Sequence, residues 1–395
     1  MKISVVIPDL SCAYGNCMSR GYLFAKILQR RYEVEMVGPL LGEGIWTPVA
    51  SDSHMNYKGV DCRGITLKEG VKLSQKLKQV AEKIEGDVVY ASKPLLTSFG
   101  IGLWVRAVEK KPVILDIDDW QMGFRKEAYR KKTLGQKIDD LKKSARQPHT
   151  TTSYWNNWIG EQLTGWANDI TLSNRFLQQK FGGEVVRHAE DTDLFDPEKI
   201  DKKQARENLG IEEGKKIVMF CGSPRKHKGV EDLVEAISLV KNTDVVLAIV
   251  GNDAEWYSIN FVKRAKEKLG DRFQAFGLQP FDRVPEFLAT ADLTVIPQQK
   301  NFATMGQMPI KVFDAMAMAK PIIASNVSDL PEVLEGCGWI VEPDNPQAIA
   351  TAIEYVLDHP QEAEEAGHKA RLKCVENYSW NAIEKVLGSL FQKYE

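Results

Sequence analysis

From the first residues nearly to the last, short apolar runs rich in Val and Ile alternate with amphipathic stretches of helical period. Few chain folds satisfy that pattern. Runs that stay apolar at consecutive positions are strands covered on both faces, and the intervening stretches supply the cover. Strand candidates in the first half are 2–7, 32–37, 87–91, 112–116, 168–172 and 184–187; Leu23, Ile27 and Leu28 exemplify the helical spacing between them. The stretch from Asp191 to about Lys203 is polar and charged and reads as a linker. The alternation restarts at Ile217-Val218-Met219-Phe220 and continues at 244–250, 272–276, 292–296, 321–325 and 339–342. This order predicts an α/β fold with two doubly wound (Rossmann-like) parallel-sheet domains facing a cleft. The expected domains are residues 1–195 and 196–375. A terminal segment, 376–395, carries an apolar stripe (Ile383, Val386, Leu387, Leu390, Phe391) and is expected to cross back to the first domain.

A length of 395 residues suits that count at roughly 100–200 residues per domain. With 43% hydrophobic and 27% charged residues, disorder and low-complexity classes are excluded. A net charge of −2 argues against a nucleic-acid coat. Apolar runs such as Val245–Val250 are far short of the roughly 18 residues a spanning helix needs. Ile3–Ile7 is too short for the core of a signal peptide. The six cysteines (12, 17, 62, 221, 337, 374) have no metal-ligand spacing and read as reduced thiols, so a cytoplasmic location is expected.

Two constellations carry chemistry. In the first, Cys221-Gly222-Ser223-Pro224-Arg225-Lys226-His227-Lys228-Gly229 follows a strand and opens a helix. Free amides at a helix start favour an anion; Arg225 can fork onto phosphate oxygens, and Lys228 adds a point charge. The other reading is a solvated basic loop. In the second, Pro309 starts a helix that carries Asp314 and is expected to reach about Ala319. Asp314 can accept hydrogen bonds from a ribose diol or simply complement the helix dipole.

These segments occur with Gly251 after "VVLAIV", with "FQAFGLQPFDRVPEFLATADLTVIP", with "GWIVEPDNPQAIATAI" and with "NDITLSNRFLQQKFGGEVVRHAEDTDLFDP". Together they resemble retaining glycosyltransferases of family 4, which have the GT-B fold. The resemblance covers essentially the whole chain and is strongest over 168–343. It implies transfer of a sugar from a nucleotide-diphosphate sugar to an acceptor hydroxyl of a glycan, a lipid-linked carrier or a small molecule. No metal or other cofactor is implied, and UDP, GDP and ADP donors are not distinguished. Arg225 and Lys228 then bind the donor phosphates, with Ser223 where the family often has its Arg. Gly229, Gly251 and Gly277 line the donor site, the last near the base. Asp314 holds the ribose, and Gly306 stands where the family's first acidic residue lies. Lys311 suits a P-x-K variant of the motif, and Gly306, Gln307, Met308, Pro309 and Ile310 contact the donor sugar largely through backbone amides. Alternatives are a nucleotide-sugar-binding protein without transfer activity and a nucleotide-sugar epimerase.

The first domain is expected to bind the acceptor. Gly15 and Asn16 stand where the family has a glycine-rich loop. Asp116-x-Asp118 matches a metal-binding D-x-D, but that reading belongs to a different fold. Asp118 is instead expected to act on an acceptor hydroxyl as catalytic residue, with Asp119 binding the acceptor, against a capping role for one of them. The segment 125–146 has nine basic and three acidic residues and is a candidate for peripheral contact with an anionic inner-membrane face, against a solvated helix face. Trp155, Trp158 and Trp166 are expected in the core rather than on a sugar. No nucleic-acid partner is expected.

Overall fold

The computed structural model describes residues 1–13, 18–50, 52–63, 70–147, 150 and 152–395. The chain divides into Met1–Arg187 with Ile383–Glu395, and His188–Ala382. The first unit holds β1 (Lys2–Val6), β2 (Glu33–Leu40), β3 (Asn56–Asp61), β4 (Val88–Ser92), β5 (Val113–Ile117), β6 (Asp169–Leu172) and β7 (Glu184–Val185). They form one parallel sheet in the order β3-β2-β1-β4-β5-β6-β7. Every residue of β4 and β5 is buried, which is why both read as unbroken apolar runs.

The sequence pattern gives no sign of β3. This strand lies at the sheet edge, and of its six residues only Val60 is buried. Its Lys58 lies 2.7 Å from Glu35 of β2 and 2.6 Å from Glu85, so polar side chains tie down this edge. The terminal helix, Trp380–Phe391, buries Ile383, Leu387, Leu390 and Phe391. The Phe391 ring is 5.7 Å from that of Tyr90 and 6.0 Å from that of Tyr32.

The second unit holds β8 (Lys216–Cys221), β9 (Val245–Val250), β10 (Phe273–Ala275), β11 (Leu293–Ile296), β12 (Ile322–Ser325) and β13 (Trp339–Val341), in the order β10-β9-β8-β11-β12-β13. Alternate residues of β8 enter opposite cores: Ile217 and Met219 one, Val218 and Phe220 the other. The unit begins before the charged stretch rather than inside it, because that stretch packs. Phe195 is fully buried, Arg371 donates to the Thr192 carbonyl at 3.1 Å, and the Glu190 amide donates to the Tyr378 carbonyl at 2.8 Å.

The tryptophan expectation needs correcting. Trp166 is 67% exposed and Trp158 42% exposed, so neither is a core residue. Trp155 packs edge-on against Tyr129 and Tyr154 in an aromatic cluster at the side of the first unit.

Candidate functional site

In the second sheet the strand order reverses between β8 and β11, and ligands of open parallel sheets bind at such a point, beyond the strand carboxyl ends. Four glycines close that edge. Gly222 follows β8 and Gly251 follows β9, both with positive φ (126° and 106°). A Cβ on Gly251 would lie 3.1 Å from the Gly222 backbone. Gly251 donates to the Gly277 carbonyl at 2.7 Å, and Gly277 donates to Asn252 Oδ1 at 2.7 Å. Gly229 (φ 68°) opens the helix Val230–Leu239, and a Cβ there would lie 1.7 Å from the Pro297 carbonyl oxygen. No side chain fits at that position.

Between these glycines stands a set of cations. Lys228 Nζ donates to the Ser223 carbonyl at 2.8 Å, folding the loop back on itself. Lys311 opens the helix Lys311–Ala317; its ammonium lies 4.7 Å from the Phe220 ring centroid, and a Cβ on Gly222 would meet it at 3.1 Å. Burial pushes the Lys311 amine down to about 8, against the pull of Asp314. His227 registers the same field. Burial, then Lys228, Lys311 and Arg225, push its imidazole down to about 4, so it is neutral at pH 7. The structure corrects the image of Arg225 as an open phosphate fork. Its guanidinium is bidentate on Asp253 (2.7 and 3.2 Å) and lies 2.6 Å from Glu255. Ser223 also bonds the Asp253 carboxylate.

Asp314 lies within the helix Lys311–Ala317 and is 7% exposed. Its side chain bonds that of Glu190, which is 1% exposed. Burial, followed by the Asp314 charge, pushes Glu190 well above the usual carboxylate range, and burial raises Asp314 as well. Two buried carboxyls in contact disfavour double ionisation, the shift being the larger at Glu190. Asp314 Oδ1 and Glu190 Oε2 have no hydrogen-bond partner. The helix is shorter than the sequence suggests: it ends at Ala317, and Ala319 takes a left-handed conformation (φ 52°).

The segment before this helix packs on the same loop. The Gln299 amide donates to the His227 carbonyl at 3.1 Å. Gln298 Nε2 donates to Gln307 Oε1 at 3.0 Å, Gly306 terminates the short helix Phe302–Met305, and Pro309 is buried. Met308 is 2% exposed and its side chain belongs to the core, leaving only backbone groups to face a ligand; Ile310 precedes the Lys311 helix.

In the first unit the carboxyl ends of β4 and β5 carry a second cluster. Lys93, in left-handed backbone (φ 66°) and 5% exposed, lies 2.6 Å from Asp118 and 3.6 Å from Asp119. Asp116 is a structural residue. It accepts from Arg20 Nε at 2.9 Å and Nη2 at 3.0 Å and from Thr171 at 2.7 Å, and Arg20 also donates to the Val186 carbonyl at 2.7 Å. Gly15 and Asn16 lie outside the described residues. Asp9, just upstream, accepts from the Ser11, Ala13 and Leu41 amides and so anchors the start of that loop. Among the described residues no group of three or more His, Cys, Asp or Glu is placed to hold a metal ion, and no helix is long and apolar enough to cross a membrane.

Sequence reasoning missed Glu190, Asp253, Glu255 and Lys93. Asp253 had a usable signal, being two residues past the glycine that ends β9. Glu190 had none, because in a charged stretch nothing separates the one carboxyl that turns inward.

Two parallel-sheet units of these strand orders make up the GT-B class of fold. HepE of Anabaena, solved in complex with UDP-glucose, has it too: TM-score 0.75 and 16% identity over all of both chains. Residues 201–373, nearly all of the second unit, match the family described as Glycosyl transferases group 1. Spore coat protein SA of Bacillus subtilis (strain 168) is 28% identical over 243 residues, 56% of this chain and 62% of that protein. The probable glycosyltransferase WbjE of Pseudomonas aeruginosa is 28% identical over 183 residues, 45% of this chain and 44% of that protein. The chain thus spans about half the length of these curated relatives.

Proposed function

We propose that the chain is a retaining glycosyltransferase of family 4, moving a sugar from a nucleotide-diphosphate sugar to an acceptor hydroxyl. The observation that carries this reading is the meeting of Lys228, Lys311 and Arg225 at the switch point of the second sheet, on a glycine-built edge where a diphosphate can approach the backbone. The match of residues 201–373 to group 1 glycosyl transferases supports it, as does a fold shared with a protein solved with UDP-glucose bound.

As the bond from the anomeric carbon to the leaving phosphate oxygen breaks, negative charge gathers on the diphosphate. Lys228 and Lys311 are already in place to receive it, so the charge is met without reorganisation. Arg225 reaches the phosphates only by giving up its carboxylate partners. In this reading it sets the position of the loop first and contacts the donor second. The upward shift at Glu190 and Asp314 favours a protonated carboxyl in that pair, which lowers the negative charge near the diphosphate and supplies a hydrogen-bond donor. In the first unit, Lys93 at 2.6 Å fixes the Asp118 carboxylate in place, as a group that orients an acceptor hydroxyl needs. Protein cations take the part a metal plays elsewhere, and reduced thiols suit a cytoplasmic enzyme.

The test is diphosphate release from a panel of sugar nucleotides in the presence of candidate acceptors, with the anomeric configuration of the product read by NMR. The expected result is an acceptor-dependent product of unchanged configuration, formed equally well with a chelator present. Lys228→Ala should lower kcat roughly 100- to 1,000-fold. Binding without turnover on any acceptor, or an inverted product, would overturn the reading.

A further inference from the structure

The helix Leu134–Arg146 in the first unit is built inside out. Leu134, Ile138 and Leu141, spaced four and then three apart, share one face. That face points to solvent: the three residues are 76%, 45% and 48% exposed, and Ala145 on the same stripe is exposed too. The only buried residue of the helix is polar Ser144. A helix in a water-soluble protein normally turns its apolar stripe inward, since that packing supplies most of its stability. This one packs on the unit through its polar side instead, with the Ser144 hydroxyl bonded to that of Ser153, Asp140 paired with Lys132 and Lys137 over the Tyr129 ring, and a complete capping box between Thr133 and Gln136 fixes its start. The apolar face is left for something outside the unit.

Charge says what that is. Lys142 is exposed beside the stripe by helical spacing, while Lys137 on the other side is half-buried with its ammonium 5.5 Å from the Tyr129 ring centroid; the surrounding segment 125–146 has nine basic residues against three acidic. A second copy seated on this face by two-fold symmetry would set one basic surface against another. A surface of anionic phospholipids answers both features, taking the leucines into the boundary between headgroups and acyl chains and the lysines among the phosphates.

We propose that the Leu134–Arg146 helix is a docking surface for an anionic bilayer, with Leu134, Ile138 and Leu141 inserted and Lys142 at headgroup level. The surface lies wholly within the first unit and its use does not depend on the transfer reaction.

The experiment is flotation of the full chain with vesicles of phosphatidylcholine alone and of phosphatidylcholine mixed with phosphatidylglycerol. Binding is expected only to the anionic vesicles and should weaken as salt is raised. A triple variant, Leu134→Gln, Ile138→Gln and Leu141→Gln, keeps helix-forming residues and should bind roughly tenfold less or worse. Lys142→Gln should weaken binding about fivefold at low salt. Because all four positions are exposed, thermal unfolding of each variant should match that of the parent. Equal binding to neutral vesicles, no binding to either, or anionic binding untouched by the triple variant would overturn the proposal. So would concentration-dependent self-association that the triple variant abolishes while vesicles are ignored. Loss of vesicle binding with donor hydrolysis or transfer intact separates this surface from the donor site.

Discussion

Gly229 shows how tightly single residues define the donor corner. Its positive φ and the Pro297 carbonyl 1.7 Å from an ideal Cβ leave no room for Gly229→Ala. The strain alone should cost about 1–3 kcal/mol in chemical denaturation of the second unit, and full stability in that variant would contradict the packing described. Lys311 supplies a pH signature. Its amine falls from the ordinary 10.5 to about 8 on folding, so between those values the unfolded chain holds the extra proton and Lys311 makes stability rise with pH. Diphosphate binding has the opposite dependence, since it needs the ammonium form. Affinity should therefore fall as pH rises through about 8, and Lys311→Met should flatten that dependence; an unchanged slope in the variant would remove Lys311 from the site. In the first unit, Arg20→Met strands the buried Asp116 carboxylate and should cost about 3–5 kcal/mol, measured by urea unfolding. Legibility at this scale followed spacing. Lys228 and Gly229 announce themselves because a strand, a basic loop and a helix follow in order. Glu190, Lys93 and Glu255 do not, because each is brought to its place by a tertiary contact with a distant segment, and Asp253 is marked only by its nearness to Gly251.

Among the elements, the central strands were the most legible, for a simple reason. Burial on both faces removes the polar positions, so β4, β5 and β9 can be read as runs. β3 escaped because an edge strand needs only one neighbour and can be nearly all polar; Lys58 on it pairs with the fully buried Glu35. The terminal helix shows the opposite case, with a clear stripe whose destination lay outside the reach of periodicity. Leu387 on that stripe is fully buried. Leu387→Ala should lower the stability of the first unit by about 2–5 kcal/mol, and a loss near zero in calorimetry would mean that the helix is not part of that core. The Leu134–Arg146 helix misleads a reader who equates an apolar stripe with a core face, as the exposed tryptophans Trp158 and Trp166 do.

For the molecule as a whole, alternation and length sufficed for two doubly wound sheets, and the strand orders follow from parallel crossovers. The chemistry divides along the same line: glycines and cations in the second unit, and the Lys93–Asp118–Asp119 cluster in the first. A nucleoside diphosphate held only at the switch point of the second sheet should therefore stabilise that unit's thermal transition, by about 2.7 kcal/mol at a hundredfold excess over Kd. Calorimetric titration with UDP, GDP and ADP puts the diphosphate grip to the test. Binding of at least one of the three is expected, weakened roughly 100-fold in Lys228→Ala. Failure of all three to bind, or equal affinity in the parent and the variant, would contradict it.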